Sequence, residues 1–208
     1  VKTAIFGASG FSREVADVAL VCGAAELLYL DYDVQGGDYF GFPLVDEGRA
    51  AELAQDGWQF VIGTGDNGTR RKIHDKFPAL PYINVVHPAA SFGYRQREAL
   101  DARRGNIVTA GVRFTNNIVP GDFGIYNLNA TIGHDCILED FINLAPGVNL
   151  SGNVHVREGA YVGTNAAVLQ GRSIDDKLVI GRGSTVGAQS VVTKSVADGV
   201  IVKGIPAK

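Results

Sequence analysis

The chain has 208 residues, 46% of them hydrophobic, with a formal charge of -3 and a pI near 5.8. That length suits one large or two small globular domains, and without a run of Lys or Arg a nucleic-acid backbone is excluded as the expected partner. Apolar runs such as "VIVKGI" are too short to span a membrane and no basic-then-apolar leader opens the sequence, so the expected location is cytoplasmic.

From Val1 to Pro88 strand-like runs, "KTAIF", "ELLYL", "QFVIG" and "YINVV", alternate with helical segments, which predicts a small parallel α/β domain of the Rossmann-like kind over residues 1–88. In "FSREVADVALVC" the residues Val15, Val18, Ala19 and Cys22 recur at i, i+3, i+4 and i+7 and form one apolar helix face. Before it stands "GASGFS". Gly7 and Gly10 allow a sharp bend that turns N–H groups at a helix start towards an anionic group, so Gly7, Ser9, Gly10 and Phe11 become candidates for nucleotide contact; a bare structural turn is the alternative. The second strand ends at Asp31, an acid suited to a ribose or base donor, or else a solvated loop acid. A third loop, "GTGDNGTRRK", offers Gly63, Gly65, Asp66 and Asn67 to the same ligand, while the following "RRKIH" reads as a solvated basic helix face that includes His74. Residues 89–107, with "SFGYRQREALDARRG", read as a linker or short helix.

From Val108 the period changes to six and holds phase to Val192 without one insertion: "IGHDCI", "LEDFIN", "LAPGVN", "LSGNVH" and onward through "IDDKLV". Each of these hexads starts on Ile, Leu or Val. The fourth position in most is Gly, Asn or Asp, the residues that tolerate a left-handed corner. Strand and corner at six-residue intervals predict a parallel β-helix with three faces per coil over 108–208, about five coils deep. In that register His134 and Asp135 fall on a corner and project outward, while Cys136 points into the core. Cys22 and Cys136 have neither CxxC nor Cys/His spacing, so no disulfide framework and no metal is expected, and both read as small buried residues.

The hexads, the "GHDC" corner, the closing "GIPAK" and the "GASG" turn of a preceding α/β domain resemble the left-handed β-helix acyltransferases, and within them the bacterial nucleotide-sugar N-acetyltransferases of the bacillosamine and perosamine pathways. Sialic acid O-acetyltransferases are relatives. The resemblance implies a homotrimer that takes acetyl-CoA as cosubstrate and a nucleotide-linked amino sugar as acceptor. It also implies that Asn127 lies near the amino sugar and that Gly152, Thr164 and Arg182 line the coenzyme path. The family usually has histidine where this chain has Phe11 and, commonly, where it has Asn143.

Acetyl transfer to an amine needs a base as nitrogen attacks the thioester, and imidazole near neutral pH meets that need; the adjacent Asp135 can fix its tautomer. His134 and Asp135 are therefore the expected catalytic pair, against the alternative of an ordinary surface corner. Asn143, just before an inward aliphatic position, is expected to face outward and donate to the acetyl carbonyl. His155, one coil above Ile137, is a possible partner of His134, and His87 beside Pro88 reads as structural. Outward Tyr161, Val179 and Val191 suggest a subunit interface. A triangular coil puts His134 and Asn143 a face apart, on the order of 15 Å, so serving one acetyl group would take two chains. The expected function is N-acetylation of a nucleotide-linked amino-dideoxy sugar for surface glycan or glycoprotein synthesis. Sugar O-acetylation and a noncatalytic β-helix scaffold are the alternatives.

Overall fold

A computed structural model describes all residues, Val1–Lys208. The first domain contains β1 (Lys2–Phe6), α1 (Gly10–Val21), β2 (Glu26–Asp31), β3 (Gly37–Tyr39), β4 (Phe42–Asp46), α2 (Ala50–Gln55), β5 (Gln59–Ile62) and α3 (Asn67–Lys76). Its sheet has the order β3-β4-β2-β1-β5, parallel except for the β3–β4 hairpin. Alternation along the strands divides the side chains between two cores. Ile5, Tyr29 and Val61 pack with Val15 and Ala19 of α1, whereas Phe6, Leu30, Phe60 and Ile62 point the other way, towards α2 and α3. Val15, Val18 and Ala19 are thus buried as the periodicity predicts. Cys22, though, is the exposed C-cap residue rather than a buried one, and its Sγ donates to the Val86 carbonyl at 3.0 Å.

The remainder is a parallel β-helix. Its first face stacks Val85–Val86, Ile107–Val108, Ile125–Tyr126, Asn143–Leu144, Tyr161–Val162, Thr185–Val186 and Ile201–Val202; its second runs from Ser91–Phe92 to Val191–Val192; its third holds Ile137–Leu138, Val154–Val156 and Leu178–Ile180. Val108, Ile132, Leu138, Leu144 and their stacked equivalents form one continuous inner core. Burying each such side chain contributes about 1.5–3 kcal/mol. Left-handed backbone recurs at the corners, at Gly111, Asn129, Gly147 and Asn165 in one column and at Asn117, Asp135 and Asn153 in another.

Four features depart from the sequence reading. The coil begins at Val85, since Val85–Val86 and Ser91–Phe92 already pair with later coils; the segment expected as a linker is the first turn, with helix α4 (Gln96–Asp101) standing in for its third face. "YINVV" accordingly divides between the two domains: Tyr82 bridges Phe60 of β5 and Val85–Val86 open the coil. A whole hexad is looped out near the C-terminal end: Gly171 N–H donates to Gly152 and Leu178 N–H to the next residue, Asn153, so the intervening residues leave the coil and Ile174 is exposed. An excursion of one period leaves the sequence phase intact, which is why the periodicity hides it. Two corner positions carry Phe123 and Phe141, both at φ 57, stacked on each other at 4.9 Å. They project from the coil into α3, where His74 packs on Phe123 at 4.6 Å.

The "RRKIH" helix is therefore a docking face, not a solvated one. Arg70 is fully buried at this junction and donates to the carbonyls of Thr64, Gly65, Phe123, Phe141 and Ile142 and to Asn67 Oδ1. Burial lowers its pKa to about 9, still a cation at neutral pH. Val85, Ile107 and Ile125 on the outside of the first face join the α1 core, so the α/β domain is fixed upon that face.

Candidate active site

His134 lies at the corner between the second and third faces, with its side chain 51% exposed. Its Nδ1 is 2.6 Å from Asp135 Oδ2, and Asp135 Oδ1 accepts from Asn117 Nδ2 at 2.6 Å. The Asn117 hydrogen bond, and after it the His134 contact, hold the Asp135 carboxyl below its usual range. An ionised carboxylate can only accept, so Nδ1 carries the proton and Nε2 keeps its lone pair. Asn117 was not singled out in the sequence, yet it stands eighteen residues before Asp135 in the same corner column, a relation the hexad register contains.

Gly152 occupies the coil above. A Cβ there would run into His134 Nε2 and Cε1, which gives a physical reason for glycine at this site. Gly152→Ala is expected to rotate the imidazole away, lowering kcat by about tenfold or more while the urea midpoint stays near that of the parent. A full-rate alanine variant would show that this ring position is irrelevant to turnover.

Cys136 is wholly buried, its thiol pushed up to about 11 by that burial, which suits packing and not nucleophilic attack. His155 does not join His134; its Nε2 contacts Glu139 Oε1 at 2.7 Å on the third face. His87 caps its own turn, Nδ1 accepting from Ala89 N–H at 3.0 Å.

The second candidate region is the crevice at the carboxyl ends of β1, β2 and β5, where ligands sit in open parallel sheets. Gly7 has φ +101, and Asp31 ties the turn down by accepting from Ala8 N–H and Tyr32 N–H, both at 2.8 Å. Ser9 is the N-cap of α1 in a capping box with Ser12, and Phe11 packs half-buried against the α1 core. Gly10 is exposed, and a Cβ would meet only the end of Arg13 at 3.6 Å. Gly63 serves packing, since a Cβ would strike Ile5 at 2.6 Å.

Several expected ligand contacts are instead domain-docking contacts. Asn143 is buried, not outward-facing: the α/β domain covers its part of the first face, and its Nδ2 donates to Gly65 O at 2.8 Å. That removes it from an exposed coenzyme groove. Gly65 O also receives Arg70, and Asn67 donates to Gly159 O at 2.8 Å and Ala160 O at 3.1 Å. Asn127 accepts from its neighbour Leu128 N–H in a half-exposed turn. Gly152, Thr164 and Arg182 lie at three different corners, with Arg182 paired to Glu158 at 2.9 Å; Gly152 alone shares the corner of His134. Tyr161, Val179 and Val191 likewise face outward from three different faces, so they form no single interface patch.

Residues 2–77 match the family described as the PglD N-terminal domain. The chain is 27% identical to GDP-perosamine N-acetyltransferase of Escherichia coli, over 98% of this chain and 94% of that one. Its fold superposes with TM-score 0.88 on perosamine N-acetyltransferase from Caulobacter crescentus, solved with CoA and GDP-perosamine, at 29% identity and coverage of 100% and 96%. The acetyltransferase domain of PglB from Neisseria gonorrhoeae, solved with acetyl coenzyme A, gives 0.84 at 29% identity, covering 100% and 98%. With the left-handed β-helix and the α/β domain matched over the whole chain, the protein is similar from end to end to the PglD- and perosamine-type acetyltransferases.

Proposed function

We propose that this chain transfers the acetyl group of acetyl-CoA to the amine of a nucleotide-linked amino-dideoxy sugar. The observation that carries the reading is the His134–Asp135 pair, displayed at a corner with no hydrogen-bond partner on Nε2. The amine nitrogen attacks the thioester carbonyl carbon, the C–N bond forms, and His134 Nε2 takes the nitrogen's proton. Collapse of the tetrahedral species breaks the C–S bond and releases the CoA thiolate. Asp135 stabilises the imidazolium that forms. The crevice bounded by Gly7–Gly10, Asp31 and Gly63–Asp66 suits the nucleotide diphosphate, with N–H groups at the start of α1 facing anionic oxygens. Relatives solved with CoA and GDP-perosamine support both the coenzyme and the acceptor class.

The triangular coil argues for a shared site. The corner bearing His134 is opposite the first face, and the first face carries the α/β domain. One chain therefore holds its base and its crevice on opposite sides of its own coil. A homotrimer brings the corner of one coil against the crevice of its neighbour and leaves a groove for the coenzyme between them. The reading implies a cytoplasmic enzyme supplying surface-glycan synthesis; no helix is long and apolar enough to cross a membrane.

The test is release of CoA thiol and gain of one acetyl group on UDP-, GDP- and dTDP-linked 4-amino sugars. One of these is expected to react faster than its 4-hydroxy counterpart. Acetylation confined to hydroxyl acceptors would overturn the assignment to an amine.

A further inference from the structure

The looped-out hexad lies next to the catalytic corner. Its neck is closed by the hydrogen bonds from Gly171 N–H to Gly152 O and from Leu178 N–H to Asn153 O, both 3.0 Å. Within the loop Arg172 N–H donates to Asp176 O at 2.9 Å, their side chains pair at 3.4 Å, and Ser173 Oγ accepts from Asp176 N–H at 3.1 Å. These contacts give an excursion without a core a defined shape. At its root Lys177 turns back along the corner column, and its Nζ donates to the carbonyl oxygen of Asp135 at 2.5 Å.

Asp135 needs such support. It sits at φ 59, a left-handed conformation that is unfavourable for an L-residue, though less so for Asp than for most. Relaxation of that corner would swing the carboxylate away from His134 Nδ1. Asn117 restrains the carboxylate from the coil below and Lys177 restrains the backbone carbonyl from above. We infer that Lys177, delivered by the looped-out hexad, is a positioning residue for the His134–Asp135 pair: it holds the Asp135 corner so that the carboxylate stays on Nδ1. The inference rests on the reading of His134 as the base for its kinetic consequence, though not for its structural one.

Lys177→Met keeps the length of the side chain and removes the donor, whereas Lys177→Arg keeps a donor and the charge. Two readouts separate positioning from simple loss of fold: steady-state kinetics, and the imidazole N–H resonance of His134 in the free protein, assigned by its absence in His134→Ala. The Met variant is expected to show a downfield Nδ1–H signal that is lost or shifted, and kcat lowered on the order of tenfold with both KM values within about twofold. The Arg variant should recover both. A folded Lys177→Met protein with the parental His134 resonance overturns the inference. A shifted resonance at full rate keeps the positioning role and removes His134 as the base.

Discussion

His134→Ala is expected to lose about 100- to 10,000-fold in acetyl transfer, the range that positioned general bases supply, while acetyl-CoA binding stays close to that of the parent. The separation of the two effects follows from geometry. The imidazole is displayed on a corner, half exposed, and contacts its own chain through Asp135, so its removal leaves no buried group without a partner. Its proposed role is to receive the proton of the attacking amine. Turnover and coenzyme affinity, the latter from calorimetry, check the claim together. A mutant that keeps most of its rate would remove His134 from the mechanism, and one that loses coenzyme binding in proportion to rate would reassign it to the coenzyme.

The largest effect on stability is expected at Arg70. The guanidinium is fully buried and supplies hydrogen bonds to carbonyls of both domains, so Arg70→Met leaves those acceptors desolvated at once. Each orphaned acceptor costs about 1–3 kcal/mol, and with relaxation satisfying part of them the expected loss is about 3–5 kcal/mol. Trp58, the only tryptophan, packs against the α2 and α3 side of the first domain, so its fluorescence reports that domain, while hydrogen exchange at the amides of Thr131, Asn143 and Asn149 reports the coil. In urea the fluorescence transition of the mutant should move to lower concentration and precede the loss of protection in the coil. Coincident curves at the parental midpoint would mean that Arg70 does not hold the domains together.

The coil was legible because each inward residue repeats every six positions, and eighteen residues later the chain returns to the same face. The same arithmetic concealed the loop at 172–177, whose length is one period. Phe123 and Phe141 broke the corner pattern, and the structure shows why: they serve the junction and not the turn. Nothing local in "RRKIH" distinguishes a buried Arg70 from a solvated one, since the carbonyls that bury it against the coil stand some fifty to seventy residues away. Asn143 and Asn67 were read as ligand contacts for the same reason. The outward orientation of Asn143 followed from register and the exposure of Asn67 from its loop, but what covers either depends on how the two domains dock. His134 and Asp135 were legible because their corner geometry and mutual contact are set within one hexad.

The shared site is tested most directly by mixing two disabled chains. His134→Ala lacks the base and keeps the crevice; Gly10→Val is expected to block backbone approach of the nucleotide and keeps the base, and a Cβ at Gly10 meets only the end of Arg13 in the free protein. Each is expected to be inactive as a pure protein. After subunit exchange of equal amounts, about a quarter of the interfaces in a randomly mixed threefold assembly pair an intact His134 with an intact crevice. The mixture should therefore recover about a quarter of the parental rate. No recovery, with exchange verified by mass spectrometry of the intact assembly, would contradict a site built from two chains.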